Sequence, residues 1–156
     1  METVYLAGGC LWGVQAFVKT LPGVIHTEAG RANGSTNTLE GDYDGYVECV
    51  KTEFDPDVTS VSDLMNFLFE IIDPFSINKQ GVDEGPKYRT GFYSEDIEHL
   101  KEAKTFIEVR HDREEIAVEV APLLNYVKSS EEHQDRLDHY PNDYCHIPQV
   151  LLEKYK

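Results

Sequence analysis

Val4-Tyr5-Leu6-Ala7-Gly8-Gly9-Cys10-Leu11-Trp12-Gly13 is the stretch on which the reading of this chain turns. A short apolar, β-prone run enters two glycines, and from Cys10 the period changes. Leu11, Val14, Phe17, Val18 and Leu21 recur at helical spacing until Pro22-Gly23 stops the helix. A strand therefore hands over to a helix at a cysteine. Unpaired backbone N–H groups and the positive end of the helix dipole gather there, a setting expected to favour thiolate over thiol. The two glycines let the backbone approach a ligand closely and leave the sulfur uncovered. Trp12, the only tryptophan, begins the helix, where a purely structural indole would be unusual.

Outward from that junction, strand and helix signals alternate. Val24 to Ala29 reads as a second strand, Gly30 to Gly45 as a polar loop rich in turns, and Tyr46 to Phe54 as a third strand closed by Asp55-Pro56. Val61, Leu64, Met65, Leu68, Ile71 and Ile72 share one face of a helix capped by Ser60. Phe75 to Pro86 reads as an ordered loop, Tyr88 to Tyr93 as a strand, Ile97 to Val109 as a helix, and Ile116, Val118 and Val120 as a half-buried strand. Ser129-x-x-Glu132 has the form of a capping box opening a short helix before Pro141, and residues 142–156 read as a weakly structured, partly mobile tail. This order predicts one α+β domain over residues 1–156: a mainly antiparallel sheet with packed helices and a split-βαβ, ferredoxin-like core.

The chain has 156 residues, with 14 Lys and Arg against 29 Asp and Glu and a formal charge of −15. Such a surface repels phosphate backbones and anionic lipid, so nucleic-acid and membrane partners are not expected. No apolar run reaches the ~20 residues of a membrane span, and Met1 leads straight into the first strand without a basic leader, so a cytoplasmic monomer is expected. The three cysteines, Cys10, Cys49 and Cys145, lie far apart, and none pairs with the six histidines at metal-ligand spacing; no cofactor is expected.

Gly8-Gly9-Cys10-Leu11-Trp12-Gly13 resembles the Gly-Cys-Phe-Trp-Gly signature of the type A peptide methionine sulfoxide reductases, with Leu11 in place of Phe. Three further segments continue the resemblance in the same order. Tyr46-Val47-Glu48-Cys49-Val50 with Phe54-Asp55-Pro56 is similar to the family's Gly-His-Ala-Glu strand and its Tyr-Asp-Pro end. Gln80-Gly81-Val82-Asp83-Glu84-Gly85-Pro86-Lys87-Tyr88-Arg89 resembles Gln-Gly-Asn-Asp-x-Gly-x-x-Tyr-Arg. Glu131-Glu132-His133-Gln134, followed by Pro141 and Tyr144-Cys145, resembles the family's Glu-Asp-Tyr-His-Gln segment and recycling cysteine. The resemblance implies reduction of methionine S-sulfoxide, free or in proteins, with thioredoxin as reductant.

The chemistry accounts for each residue. A sulfoxide sulfur is electrophilic only when its oxygen is protonated or strongly hydrogen-bonded as the sulfur of Cys10 attacks, so an acid is required. Glu48, among the apolar strand residues Val47, Cys49 and Val50, is the candidate, and the resemblance implies the same role. By resemblance Tyr88 donates its phenol to the sulfoxide oxygen, Asp83 accepts from the substrate backbone, and Leu11 and Trp12 cage the methyl group. The sulfenic acid left on Cys10 then condenses with Cys145 to a disulfide that thioredoxin reduces. A second recycling cysteine is absent from Ile147 to Lys156, which implies a one-step relay, and Cys49 should be core on the opposite sheet face from Glu48. The family's second oxygen-binding tyrosine has no direct match, because Leu39 stands near its place. Tyr43, on a loop free to swing inward, is favoured over Tyr46. A thiol peroxidase is the competing reading, since it needs the same cysteine but neither an indole cage nor a protonated glutamate.

Overall fold

A computed structural model describes residues 1–156. The strands are β1 (Glu2–Gly8), β2 (Val24–Ala32), β3 (Val47–Phe54), β4 (Lys79–Gln80), β5 (Asp83–Glu84), β6 (Thr90–Ser94), β7 (Glu119–Pro122) and β8 (Tyr126–Lys128). The helices are α1 (Leu11–Val18), α2 (Val61–Ile71), α3 (Ile97–Glu108), α4 (Arg136–His139) and α5 (Gln149–Glu153). Six strands form one sheet in the order β7-β6-β1-β3-β2-β8, and β4 pairs with β5 in a separate hairpin. Four of the pairings in the large sheet are antiparallel, but β7 lies parallel to β6, so the sheet is mixed. The parallel edge arises because α3 carries the chain back across the sheet before β7 begins, as a crossover must. The α+β class expected from the element order is the architecture observed.

Alternation along β1 builds two layers. Val4 and Leu6 join Val50, Phe54 and Phe92 under α1 and α2, whereas Tyr5 and Ala7 face a smaller cluster with Val47, Cys49 and Tyr93. Both faces of β1 are covered, which is why Val4 to Ala7 reads as a continuous apolar run. Ser60 caps α2 as expected, its side chain accepting from Asp63 N while Asp63 accepts from Ser60 N, both at 3.0 Å.

Two local expectations fail. Ser129 does not cap a helix: it is buried, and only a 3₁₀ turn at Glu131–His133 and the four-residue α4 follow it. Gln134 competes successfully for the local backbone, accepting from Ala29 N at 2.8 Å and donating to the carbonyls of Ala29 and Ser129. The tail is not loose either, because Ile147 and Leu152 sink into the main core, Leu152 from within α5. No helix is long and apolar enough to cross a membrane.

Candidate active site

Antiparallel pairing gathers the site at one edge of the sheet. Gly8, the last residue of β1, pairs with Thr90, the first of β6, and Leu6 pairs with Val50, so β3 also begins beside the end of β1. Cys10 at the N-terminus of α1, Glu48 near the start of β3, and Tyr88 in the turn before β6 therefore converge. They line a cleft of about 280 Å³ together with Leu11, Trp12 and Asp83. Asp83 is delivered by the β4–β5 hairpin, which is tied to the end of α2 by the Gln80 side chain. Gln80 accepts from Asp73 N at 2.8 Å and donates to Asp73 O at 2.9 Å.

The N-terminus of α1 is used differently from the simple dipole expectation. Its first amide, Leu11 N, donates to Glu48 Oε1 at 3.2 Å, so the acid binds at the helix end beside the cysteine. Burial, then the neighbouring Glu48 carboxylate, pushes the Cys10 thiol up to about 12, while the Trp12 amide favours the thiolate. Asp83 and Cys145 add to the rise. Two carboxylates and a dry wall thus outweigh a helix end, and the resting group is a thiol. This corrects the expectation of a resting thiolate. Burial also raises the Glu48 carboxyl, and its Asp83 neighbour adds to the rise. The Leu11 amide, Lys87 and Arg31 hold it back. Its apolar strand neighbours foretold that direction.

Trp12 is fixed by residues far along the chain, of which His133 lines the cleft beside it. Its Nε1–H donates to His133 Nδ1 at 3.0 Å, the two rings stack with centroids 6.1 Å apart, and the Arg136 guanidinium lies 4.9 Å from the indole. A nitrogen that accepts cannot carry the proton, and burial lowers the His133 pKa, so the ring is neutral. Cys145 rests against α1 at Gly13, where an added Cβ would overlap its sulfur, and Ile147 N donates to that sulfur at 3.4 Å. Cys49 is 1% exposed, on the opposite face of β3 from Glu48.

The family model described as "Peptide methionine sulfoxide reductase" matches residues 2–155. This chain belongs to the peptide methionine sulfoxide reductase family. The chain is similar to peptide methionine sulfoxide reductase MsrA of Clostridium acetobutylicum, at 41% identity covering 99% of this chain and 100% of the relative. It is 37% identical to the protein of the same name from Lachnoclostridium phytofermentans, covering 99% and 98%. Among solved structures it resembles reduced Mxr1 of Saccharomyces cerevisiae, with a TM-score of 0.84, 26% identity and coverage of 92% and 88%. It also resembles methionine sulfoxide reductase A of Corynebacterium diphtheriae, with a TM-score of 0.83, 26% identity and coverage of 95% and 83%.

Within this peptide methionine sulfoxide reductase the structure reverses one site expectation and adds several residues. Tyr43 is 46% exposed, lies outside the cleft and donates its phenol to Tyr46 O at 2.7 Å, whereas Tyr46 lines the cleft. The loop is folded back on itself by Asp44, which accepts from the Thr36 amide and hydroxyl, so Tyr43 is held at the rim. Tyr46 is in turn covered by the Arg31 guanidinium, 4.3 Å from its ring. Arg31 was missed because it sits in β2. The cross-strand register Arg31–Glu48 puts it on the acid's face, and no single segment shows that register. Lys87, Ser129 and Tyr144 also line the cleft; Lys87 stands next to Tyr88 and Tyr144 next to Cys145 in the motif segments, whereas Ser129 read only as a helix cap.

Proposed function

We propose that Cys10, Glu48, Tyr88 and Cys145 carry the sulfoxide-reducing cycle of this family member, with Leu11, Trp12 and Asp83 shaping the pocket and Tyr46 in the place first given to Tyr43. The observation that carries this reading is the shared end of α1, where a buried acid and the cysteine sulfur meet in one cleft. The chain reduces methionine sulfoxide to methionine. The sulfur of Cys10 attacks the sulfoxide sulfur while protonated Glu48, assisted by the phenols of Tyr88 and Tyr46, supplies the proton that the oxygen needs to leave. Methionine departs, and the oxygen remains on Cys10 as a sulfenic acid, so thiol plus sulfoxide becomes sulfenic acid plus sulfide without any net change in protons. Starting from a thiol suits this balance, because the proton lost by sulfur replaces the one given by Glu48. The indole face of Trp12 faces the positive charge that develops on the substrate sulfur.

Cys145 then closes a disulfide with Cys10 and expels water. A relative, Mxr1, has been solved in complex with Trx2, which supports thioredoxin as the reductant here. The S epimer of protein-bound or free methionine sulfoxide is the substrate we assign, by family analogy. Residues 1–156 are read as one domain, a reading supported by the single large sheet and the core that spans it, and the chain is proposed to act as a monomer. The order β6-β1-β3-β2 supports the split-βαβ description of its centre, since β3 separates β1 from β2 and α1 joins them. Turnover of a peptide sulfoxide with dithiothreitol, set against hydrogen peroxide, tests the proposal. Cys10→Ser should abolish methionine formation while preserving the fold, and peroxide turnover exceeding sulfoxide turnover would favour a thiol peroxidase.

A further inference from the structure

His146 follows Cys145 and sits in a setting that sulfoxide reduction does not use. Its side chain is 4% exposed, and Nδ1 lies 3.8 Å from Asp83 Oδ2. Both ring nitrogens and that carboxylate oxygen are buried without a hydrogen-bond partner. Unpartnered polar atoms in a dry site are expensive, which marks them as groups whose chemistry matters. Packing holds the ring in place. A Cβ on Gly9 would stand 2.9 Å from His146 Cε1, and one on Gly81 would stand 2.9 Å from His146 Cβ. Both glycines have positive φ, +96° and +62°, so the backbone on either side is shaped to admit the ring. The imidazole is wedged between the residue preceding Cys10 and the loop that presents Asp83.

Disulfide formation needs a base at this place. The attacking Cys145 must lose its proton, yet burial, and further the Asp83 charge, hold its pKa up against the Ile147 amide. We propose that His146 and Asp83 are the proton-handling pair of the disulfide-forming half-reaction, His146 taking the Cys145 thiol proton as that sulfur attacks the Cys10 sulfenic acid. This rests on the function proposed above. The Cys145–Cys10 sulfur bond forms, the sulfur–oxygen bond breaks with its electron pair leaving on oxygen, and the imidazolium returns the proton to that oxygen as water departs. No outside oxidant or reductant is consumed. Nδ1 faces Asp83, so Nε2 is the working nitrogen, and the carboxylate stabilises the imidazolium as it forms. The groups around the ring are Asp83 from the hairpin, the Gly8 backbone at the end of β1, and Tyr144 and Cys145 from its own segment. Burial keeps the imidazole pKa below its ordinary value despite Asp83 and Gly8, so the base is neutral and available at pH 7.

The test is a single turnover with excess sulfoxide and no reductant, following methionine release and loss of free thiols separately in wild type, His146→Asn and His146→Gln. Methionine release checks that the pocket has folded. Both variants should release about one methionine per chain at the wild-type rate. Their disulfide formation should be slower by roughly 10²-fold at pH 7, the low end of general-base effects, and should recover as pH rises toward the thiol's own ionisation. Dimedone should trap the accumulated Cys10 sulfenic acid. In wild type the disulfide step should titrate with a group below the ordinary histidine range. Wild-type disulfide rates in both variants would overturn the assignment, and so would methionine release and disulfide formation falling together. A wild-type step that follows only a thiol titration would also overturn it. Should wild type release no methionine, the proposed reaction itself fails, a result distinct from any of these.

Discussion

At the scale of single residues, the site sets an acid and a thiol against each other. Burial raises both groups, the Glu48 charge raises Cys10 further, the Asp83 charge raises Glu48 further, and the Leu11 amide is the backbone donor that reaches the acid. Glu48→Gln should therefore have two opposite effects. Turnover should fall by roughly 10²–10⁴-fold, because the proton donor is gone. At pH values where Glu48 is ionised, alkylation of Cys10 by iodoacetamide should become faster, because the carboxylate charge that opposes the thiolate is removed. The sign of the pH dependence follows. A carboxyl with a raised folded pKa is an acid below that pKa and is lost as pH rises through it. The high-pH limb of wild-type turnover should flatten in the variant. The same shift means that ionising Glu48 costs stability as pH climbs above the ordinary carboxyl range, so the variant should unfold at a higher temperature at pH 7. A second residue-scale prediction separates the tyrosines: Tyr46→Phe should lower kcat/KM by about 10-fold or more, whereas Tyr43→Phe, whose phenol bonds only to a carbonyl at the rim, should change it less than about 3-fold. Equal losses would return Tyr43 to the pocket.

At the scale of elements, α1 has two jobs. Its N-terminus holds Cys10 and Glu48, and its first turn provides a flat place at Gly13 for the Cys145 sulfur. Glycine inside a helix costs about 1 kcal/mol relative to alanine, so Gly13→Ala would stabilise an isolated helix. Here the added methyl meets the Cys145 sulfur and stands 3.0 Å from Ile147 Cδ1, so the C-terminal segment has to shift. Gly13→Ala should keep single-turnover methionine release within about 3-fold of wild type and slow disulfide formation about 10-fold or more. Thiol counts against released methionine would check this, and an unslowed disulfide would mean that the segment adapts without loss. The hairpin β4–β5 shows the same economy: two hydrogen bonds from one buried glutamine anchor it to α2 and so fix Asp83 in the cleft.

At the scale of the whole molecule, the cycle depends on bringing the two ends of the chain together. Cys145→Ser should still release about one methionine per chain, because the first half-reaction needs only Cys10, Glu48 and the pocket. Thioredoxin-driven turnover should collapse, since Cys49 is buried on the far face of β3, and dithiothreitol should restore cycling by attacking Cys10 directly. Mass spectrometry should find dimedone on Cys10 in the variant and a Cys10–Cys145 disulfide in wild type, and normal cycling of the variant with thioredoxin would remove Cys145 as the resolver. Much of this organisation was legible from local pattern. The strand-to-helix change of period at Cys10, the opposite-face placement of Glu48 and Cys49, and the Ser60 cap each depend on residues a few positions apart, so short-range periodicity and capping chemistry suffice to specify them. The mixed sheet, the docked C-terminal segment, the choice of Tyr46 over Tyr43, and the Arg31, His133 and His146 contacts depend on residues far apart in the chain. Cross-strand register and core packing decide those, and so does the balance of burial against the helix end at Cys10. Desolvation and Coulomb terms depend on which groups surround an atom in space, and that is known only once the chain has folded.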